Sequence, residues 1–116
     1  MGQPIVHFEI MGTNAIGLQK FYADLFDWKV GDAMPDMGFY GLVDGESSGL
    51  GGGIGQDQDG NSRVTIYVQV PDLAVALDRA VELGGEVVMP PMEIPGVVTM
   101  AMFADPDGNI IGLIKG

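Results

Sequence analysis

Phe103-Ala104-Asp105-Pro106-Asp107-Gly108-Asn109-Ile110-Ile111-Gly112-Leu113 reads as a strand, a tight turn and a second strand. Pro106 presets φ for an early turn position. Gly108 supplies a positive φ, and the carboxylates of Asp105 and Asp107 can accept from nearby backbone N–H groups. The apolar residues on either side alternate or run continuously, as strands do. By its chemistry this turn lays the last strand beside its neighbour.

The stretch before it supplies the rest of a module. Val64 to Val70 is a strand, and Asp72 caps a helix with an apolar stripe of Leu73, Ala76, Leu77, Ala80 and Val81. Gly84-Gly85 stops that helix. Glu86 to Met89 is a strand ending at Pro90-Pro91, a pair that cannot continue a central strand. Val97 to Phe103 and Asn109 to Ile114 complete the half.

The first half has the same order. Ile5-Val6-His7-Phe8-Glu9-Ile10 alternates, with His7 and Glu9 on one face and Val6, Phe8 and Ile10 on the other. Thr13 or Asn14 caps a helix whose stripe is Leu18, Phe21, Tyr22, Leu25 and Phe26, ending near Asp27. Short strands follow at Trp28 to Val30 and Phe39 to Val43, then a Gly-rich strand from Gly49 to Gly55. The aromatics Phe21, Tyr22, Phe26, Trp28 and Phe39 are read as core. Gln56 to Ser62 is a polar connector.

The order is therefore β-α-β-β-β, twice, with His7 and Thr65 in matching places 58 residues apart. A half of about 55 residues is too small to cover both faces of its own sheet. The expected fold is α+β: one domain over 1–116, with module one at about 1–55, a connector at 56–62 and module two at about 63–116. The two inner sheet faces are expected to curl toward each other around a ligand cleft.

Composition narrows the function. The chain has 116 residues, 47% hydrophobic, and no cysteine. Disulfides, thiolate zinc sites and thiol catalysis are excluded. Five basic and sixteen acidic residues give a net charge of −11. That argues against nucleic acid and anionic membranes, and it permits a cationic ligand. No stretch reaches the ~20 apolar residues of a membrane span, and the first residues lack a basic n-region. The expected location is cytoplasmic. The glycines of 49–55 are no phosphate loop, because neither Lys-Ser nor a helix follows. Close approach of other groups to the backbone explains them better.

Several pieces in order resemble the vicinal oxygen chelate superfamily of glyoxalases, bleomycin-resistance proteins and extradiol dioxygenases. They are Ile5 to Ile10, Leu18-Gln19-Lys20-Phe21-Tyr22, Leu25-Phe26-Asp27-Trp28, Gly52-Gly53-Ile54, Tyr67-Val68-Gln69-Val70 with Asp72, Leu83-Gly84-Gly85, and Asp105-Pro106-Asp107-Gly108-Asn109. The resemblance implies paired βαβββ modules around a ligand cleft, commonly as a homodimer. In the metal enzymes of that superfamily, one ligand stands on the first strand and one on the last strand of each half. Those places hold His7, Thr65, the glycine strand and Gly112. Only His7 is a competent ligand, and a single histidine cannot form a two-histidine triad.

The expectation is a glyoxalase-like protein that binds a small organic molecule, with no divalent metal and no other cofactor. His7 and Glu9 share a strand face and are the candidate acid/base pair. Thr65, Tyr67, Gln69, Met100 and Gly112 are the candidate ligand-binding residues. Whether substrate is turned over stays open at this level. The alternatives are a metal-dependent lyase or isomerase of the glyoxalase I kind, and a protein that sequesters a bleomycin-type drug.

Overall fold

The computed structural model describes residues 2–116. The chain divides into two compact units. One is His7–Thr65; the other joins residues 2–6 to Ile66–Gly116. Its strands are β1 (Ile5–Gly12), β2 (Gly41–Val43), β3 (Gly52–Gln56), β4 (Arg63–Val70), β5 (Glu86–Ile94), β6 (Val98–Ala104) and β7 (Ile110–Lys115). Its helices are α1 (Ala15–Phe26), α2 (Gly45–Ser48) and α3 (Leu73–Glu82).

In the His7–Thr65 unit the strand order is β2-β3-β1. Asn14 caps α1, its Oδ1 accepting from Gly17 N at 2.9 Å. Parallel pairing sets Phe8 opposite Gly52 and Ile10 opposite Ile54, and α1 packs on β3. The wholly buried Ile54 anchors that face. Gln19 is buried too, and its Nε2 donates to Ile54 O and Phe39 O, both at 2.8 Å.

The expected apolar stripe of α1 is rotated in the structure. Ala15 and Gln19 are buried, whereas Phe21, Leu25 and Phe26 are more than half exposed and Phe39 is exposed. The aromatics stack on one another at the helix edge, Tyr22 on Trp28 at 5.7 Å and Phe26 against Trp28 at 5.1 Å. Small and amide side chains let the helix backbone approach a strand made of glycines, and the large rings are left at the margin. The strand expected from Trp28 to Val30 is reduced to one bridge, Val30 to Val43. Gly49 does not belong to a strand. It ends the short helix α2, which Asp44 caps.

In the other unit the order is β4-β7-β6-β5. Its core is Val70, Leu73, Leu77, Ala101 and Leu113, where α3 covers one face of the sheet. Asp72 caps α3 through Val75 N at 3.1 Å. The opposite face follows from register: Tyr67, Gly112 and Met102 form one row, and Gln69, Ile114 and Met100 the next. The turn at Asp105 is closed by Asp105 Oδ1, which accepts from Asp107 N and Asn109 N, both at 2.9 Å. β5 runs through Pro90-Pro91 to Ile94, beyond the expected stop at Met89. It can do so because it is the edge strand, and its register shifts around the prolines, between Met89 and Met92. No helix among the described residues is long and apolar enough to cross a membrane.

Candidate functional site

The face of β1 opposite α1 carries His7 and Glu9, as the alternation predicts. Glu9 lies opposite Gly53 on β3. A Cβ built on Gly53 would collide with the ring of Tyr40, and one on Gly55 would stand 2.7 Å from the same ring. The glycines of β3 are thus the seat of a tyrosine. Tyr40 enters from just before β2 and lays its hydroxyl between His7 and Glu9.

A continuous polar chain results. His7 Nε2 and Tyr40 Oη are 2.8 Å apart. Tyr40 donates to Glu9 Oε2 at 2.9 Å. Arg63, at the start of β4, donates through NH1 to Glu9 Oε1 and to Thr65 Oγ1, each at 3.1 Å. Its Nε reaches Asp57 Oδ1 at 3.4 Å. Glu9 and Thr65 are buried, and Arg63 is about a third exposed. Three oxygens, from β1, the connector and β4, converge on one guanidinium.

The electrostatics follow from this placement. Burial pulls the His7 pKa below its ordinary value, and the nearby Glu9 carboxylate opposes that shift. The backbone N–H of Asn61 leads the groups that hold Asp57 below the usual carboxylate range, with Arg63 and the Asp59 N–H adding to it. Asp57 is therefore favoured as an anion chiefly by its own loop, with Arg63 adding to the effect.

Of the residues expected at a site, His7, Glu9 and Thr65 join this one cluster. Tyr67, Gln69, Met100 and Gly112 lie in the other unit, together on the face that α3 does not cover. Tyr67 is buried, and its ring fills the place a side chain at Gly112 would take. The same device, a tyrosine ring over a strand glycine, therefore occurs once in each unit. Tyr40 and Arg63 were not anticipated. Their sequence signals are faint: glycines at 53 and 55, alternating on one strand face, and an arginine two residues before Thr65.

The polar atoms of this cluster are engaged with one another. Thr65 Oγ1 and Glu9 Oε1 already accept from a cation, and Glu9 Oε2 accepts from Tyr40. The glycines offer no side-chain donor atoms, and tyrosine rings cover Gly53, Gly55 and Gly112. Among the described residues no group of three or more His, Cys, Asp or Glu side chains could hold a metal. Elsewhere, a shallow apolar groove beside α3, lined by Ala76, Ala80, Leu83, Phe103 and Pro106, carries no comparable polar cluster.

Comparison with known proteins gives a consistent picture. A family model described as "Glyoxalase-like domain" matches residues 12–114. An anthracycline biosynthesis protein, DnrV of Streptomyces peucetius, is 30% identical over 87% of this chain. This chain spans 42% of that protein's length. A hypothetical protein from Bacillus halodurans superposes over 100% of this chain and 96% of its own, with a TM-score of 0.75 at 13% identity. An Mn(II)-bound glyoxalase from Novosphingobium aromaticivorans superposes over 97% of this chain and 38% of its own, with a TM-score of 0.66 at 18% identity.

Proposed function

This chain belongs to the glyoxalase-like domain family of the vicinal oxygen chelate superfamily, and from that premise we propose that it holds a small organic molecule without a divalent metal. The observation that carries the reading is the guanidinium of Arg63, which takes up the oxygens of Glu9, Thr65 and Asp57. A divalent ion would have to compete with a cation already paired with Glu9, the carboxylate two residues from His7 on the same strand face. Binding then rests on hydrogen bonds and apolar contact. His7, Glu9 and Tyr40 are the polar groups of one module's ligand face. Tyr67 and Gln69 are those of the other module's, with Met100 an apolar contact and Gly112 the residue on which the Tyr67 ring rests.

The test is a thermal-shift screen of the untagged protein against metabolites, with and without chelator. Ligands that raise the Tm equally in both conditions support the reading, since a molecule that binds only the folded state stabilises it by mass action. Stabilisation that vanishes with chelator favours the metal-dependent lyase or isomerase instead.

One observation favours a narrower reading of the ligand. A relative, DnrV, is an anthracycline biosynthesis protein, and this chain carries a net charge of −11. A planar aromatic ligand bearing a cationic group suits both, either as a substrate or as a sequestered drug. Titration with an anthracycline at two salt concentrations tests it: affinity that falls with salt is expected, and absent or salt-insensitive binding removes the electrostatic rationale. The family resemblance also supports a homodimer, which sedimentation of the full chain would reveal. The absence of cysteine from the sequence suits cytoplasmic residence.

A further inference from the structure

We propose that Met92 is an oxidation site, taking one oxygen from a peroxide to become the sulfoxide, and that this change weakens the hold of the β4-β7-β6-β5 ligand face on an apolar ligand. Four methionines stand together on β5 and β6. Met89 pairs with Met102, and Met92 pairs with Met100. Residues paired across neighbouring strands share one face of the sheet. From Met102 the row continues to Gly112 and Tyr67, and from Met100 to Ile114 and Gln69. The thioethers therefore extend the face that α3 leaves uncovered as far as the edge strand. The alternate residues of β6, Ala101 and Phe103, pack with α3 instead.

The chain has eight methionines and no cysteine, so an oxidant meets no thiolate before it meets a thioether. Access then decides which sulfur reacts. Met92 is 46% exposed and Met102 only 9%, with Met89 and Met100 half-buried between them. In the reaction with hydrogen peroxide, a lone pair of Met92 Sδ attacks one oxygen and the O–O bond breaks. The S–O bond forms and the sulfur is oxidised. The departing hydroxide takes the proton from the transferred oxygen and leaves as water. The product is a polar side chain in place of an apolar one, and methionine sulfoxide reductases reverse it. The new oxygen accepts hydrogen bonds, but Met100 and Ile114, the next side chains along its row, cannot donate one. An apolar ligand group laid on this row would bury that oxygen unsatisfied. The effect on binding rests on the proposed ligand face. The oxidation is measured on the protein alone, so the two fail separately.

Brief treatment of the full chain with hydrogen peroxide, followed by peptide mass mapping, tests the site. Met92 sulfoxide should form at least about tenfold faster than Met102 sulfoxide, and methionine sulfoxide reductase should remove it. A rate at Met92 no greater than that at Met102 overturns the assignment. Titration with an anthracycline tests the effect on binding, using protein oxidised at Met92 and still folded by circular dichroism. The Kd should rise about tenfold on oxidation and return on reduction. Met92→Leu has no sulfur at that place and should keep its own affinity through the same treatment. Met92→Gln, polar and of similar length, should bind more weakly than wild type with no oxidant present. Equal affinity before and after oxidation, an equal loss in Met92→Leu, or a Met92→Gln variant as tight as wild type overturns the effect on binding. An anthracycline that does not bind the untreated protein removes the ligand reading and that effect with it, and leaves the mapped oxidation site standing.

Discussion

Gly53 has no side chain, and the cluster depends on that vacancy. Its missing methyl is the space into which the Tyr40 ring fits, so Gly53→Ala forces one of them to move. Overpacking of this kind costs about 1–3 kcal/mol. The cost should persist in a Tyr40→Phe background, which keeps the ring, and should shrink in Tyr40→Ala, which removes it. Chemical denaturation of the four proteins measures this coupling; additive effects would show that the ring does not lean on Gly53. His7 makes a prediction about pH. Burial lowers its folded pKa below the ordinary 6.5, so as pH falls the unfolded chain takes up the proton first. Stability from this group is complete above about pH 6.5 and declines as pH drops from there toward the folded pKa. The Tm of wild type should fall between about pH 7 and pH 5.5, and His7→Gln should flatten that slope. A slope unchanged in the variant would assign it to other groups. The sequence made His7, Glu9 and Thr65 legible because period-two alternation and the internal repeat place them without any tertiary knowledge. Tyr40 and Arg63 were not legible. Tyr40 acts from the edge of an irregular loop, and an arginine at a strand start looks like any solvated charge.

Among the elements, α1 is tied to its sheet by an amide where the sequence pattern expected aromatic rings. Gln19 Nε2 donates to the carbonyl of the wholly buried Ile54. Gln19→Leu keeps the volume but removes the hydrogen bond to that strand carbonyl, at a net cost of about 0.5–1.5 kcal/mol. The Phe39 carbonyl, on an exposed residue, can turn to water instead. Equilibrium unfolding should therefore show a loss near the worth of one buried hydrogen bond, and a stabilised Gln19→Leu variant would contradict this account of the packing. Helix positions, caps and the Asp105 turn were readable because local rules decide them: Asn14, Asp72 and Asp105 each accept from the backbone as their chemistry suggests. The burial of α1 was not readable from the pattern, since Phe21 and Phe26 satisfy the helical period yet remain half outside. β5 shows the same limit in reverse. Pro90-Pro91 excludes a central strand, but only the strand order reveals that β5 lies at an edge, where prolines are tolerated.

For the whole molecule, two repeats of one sheet-and-helix unit were visible from the sequence, because the order of elements and the turn residues recur at nearly constant offset. Ligand chemistry was less visible, since it depends on which partner each polar group finds after folding. The central claim is that an organic ligand is held with Arg63, and no divalent ion, as the cation of the cluster. Native mass spectrometry of the untagged protein, infused with a ligand from the thermal screen before and after chelator treatment, tests it most directly because ion and ligand are weighed together. The account predicts a complex whose mass is chain plus organic ligand, unchanged by the chelator. A stoichiometric divalent ion on the chain, with the ligand lost when that ion is stripped, would contradict it.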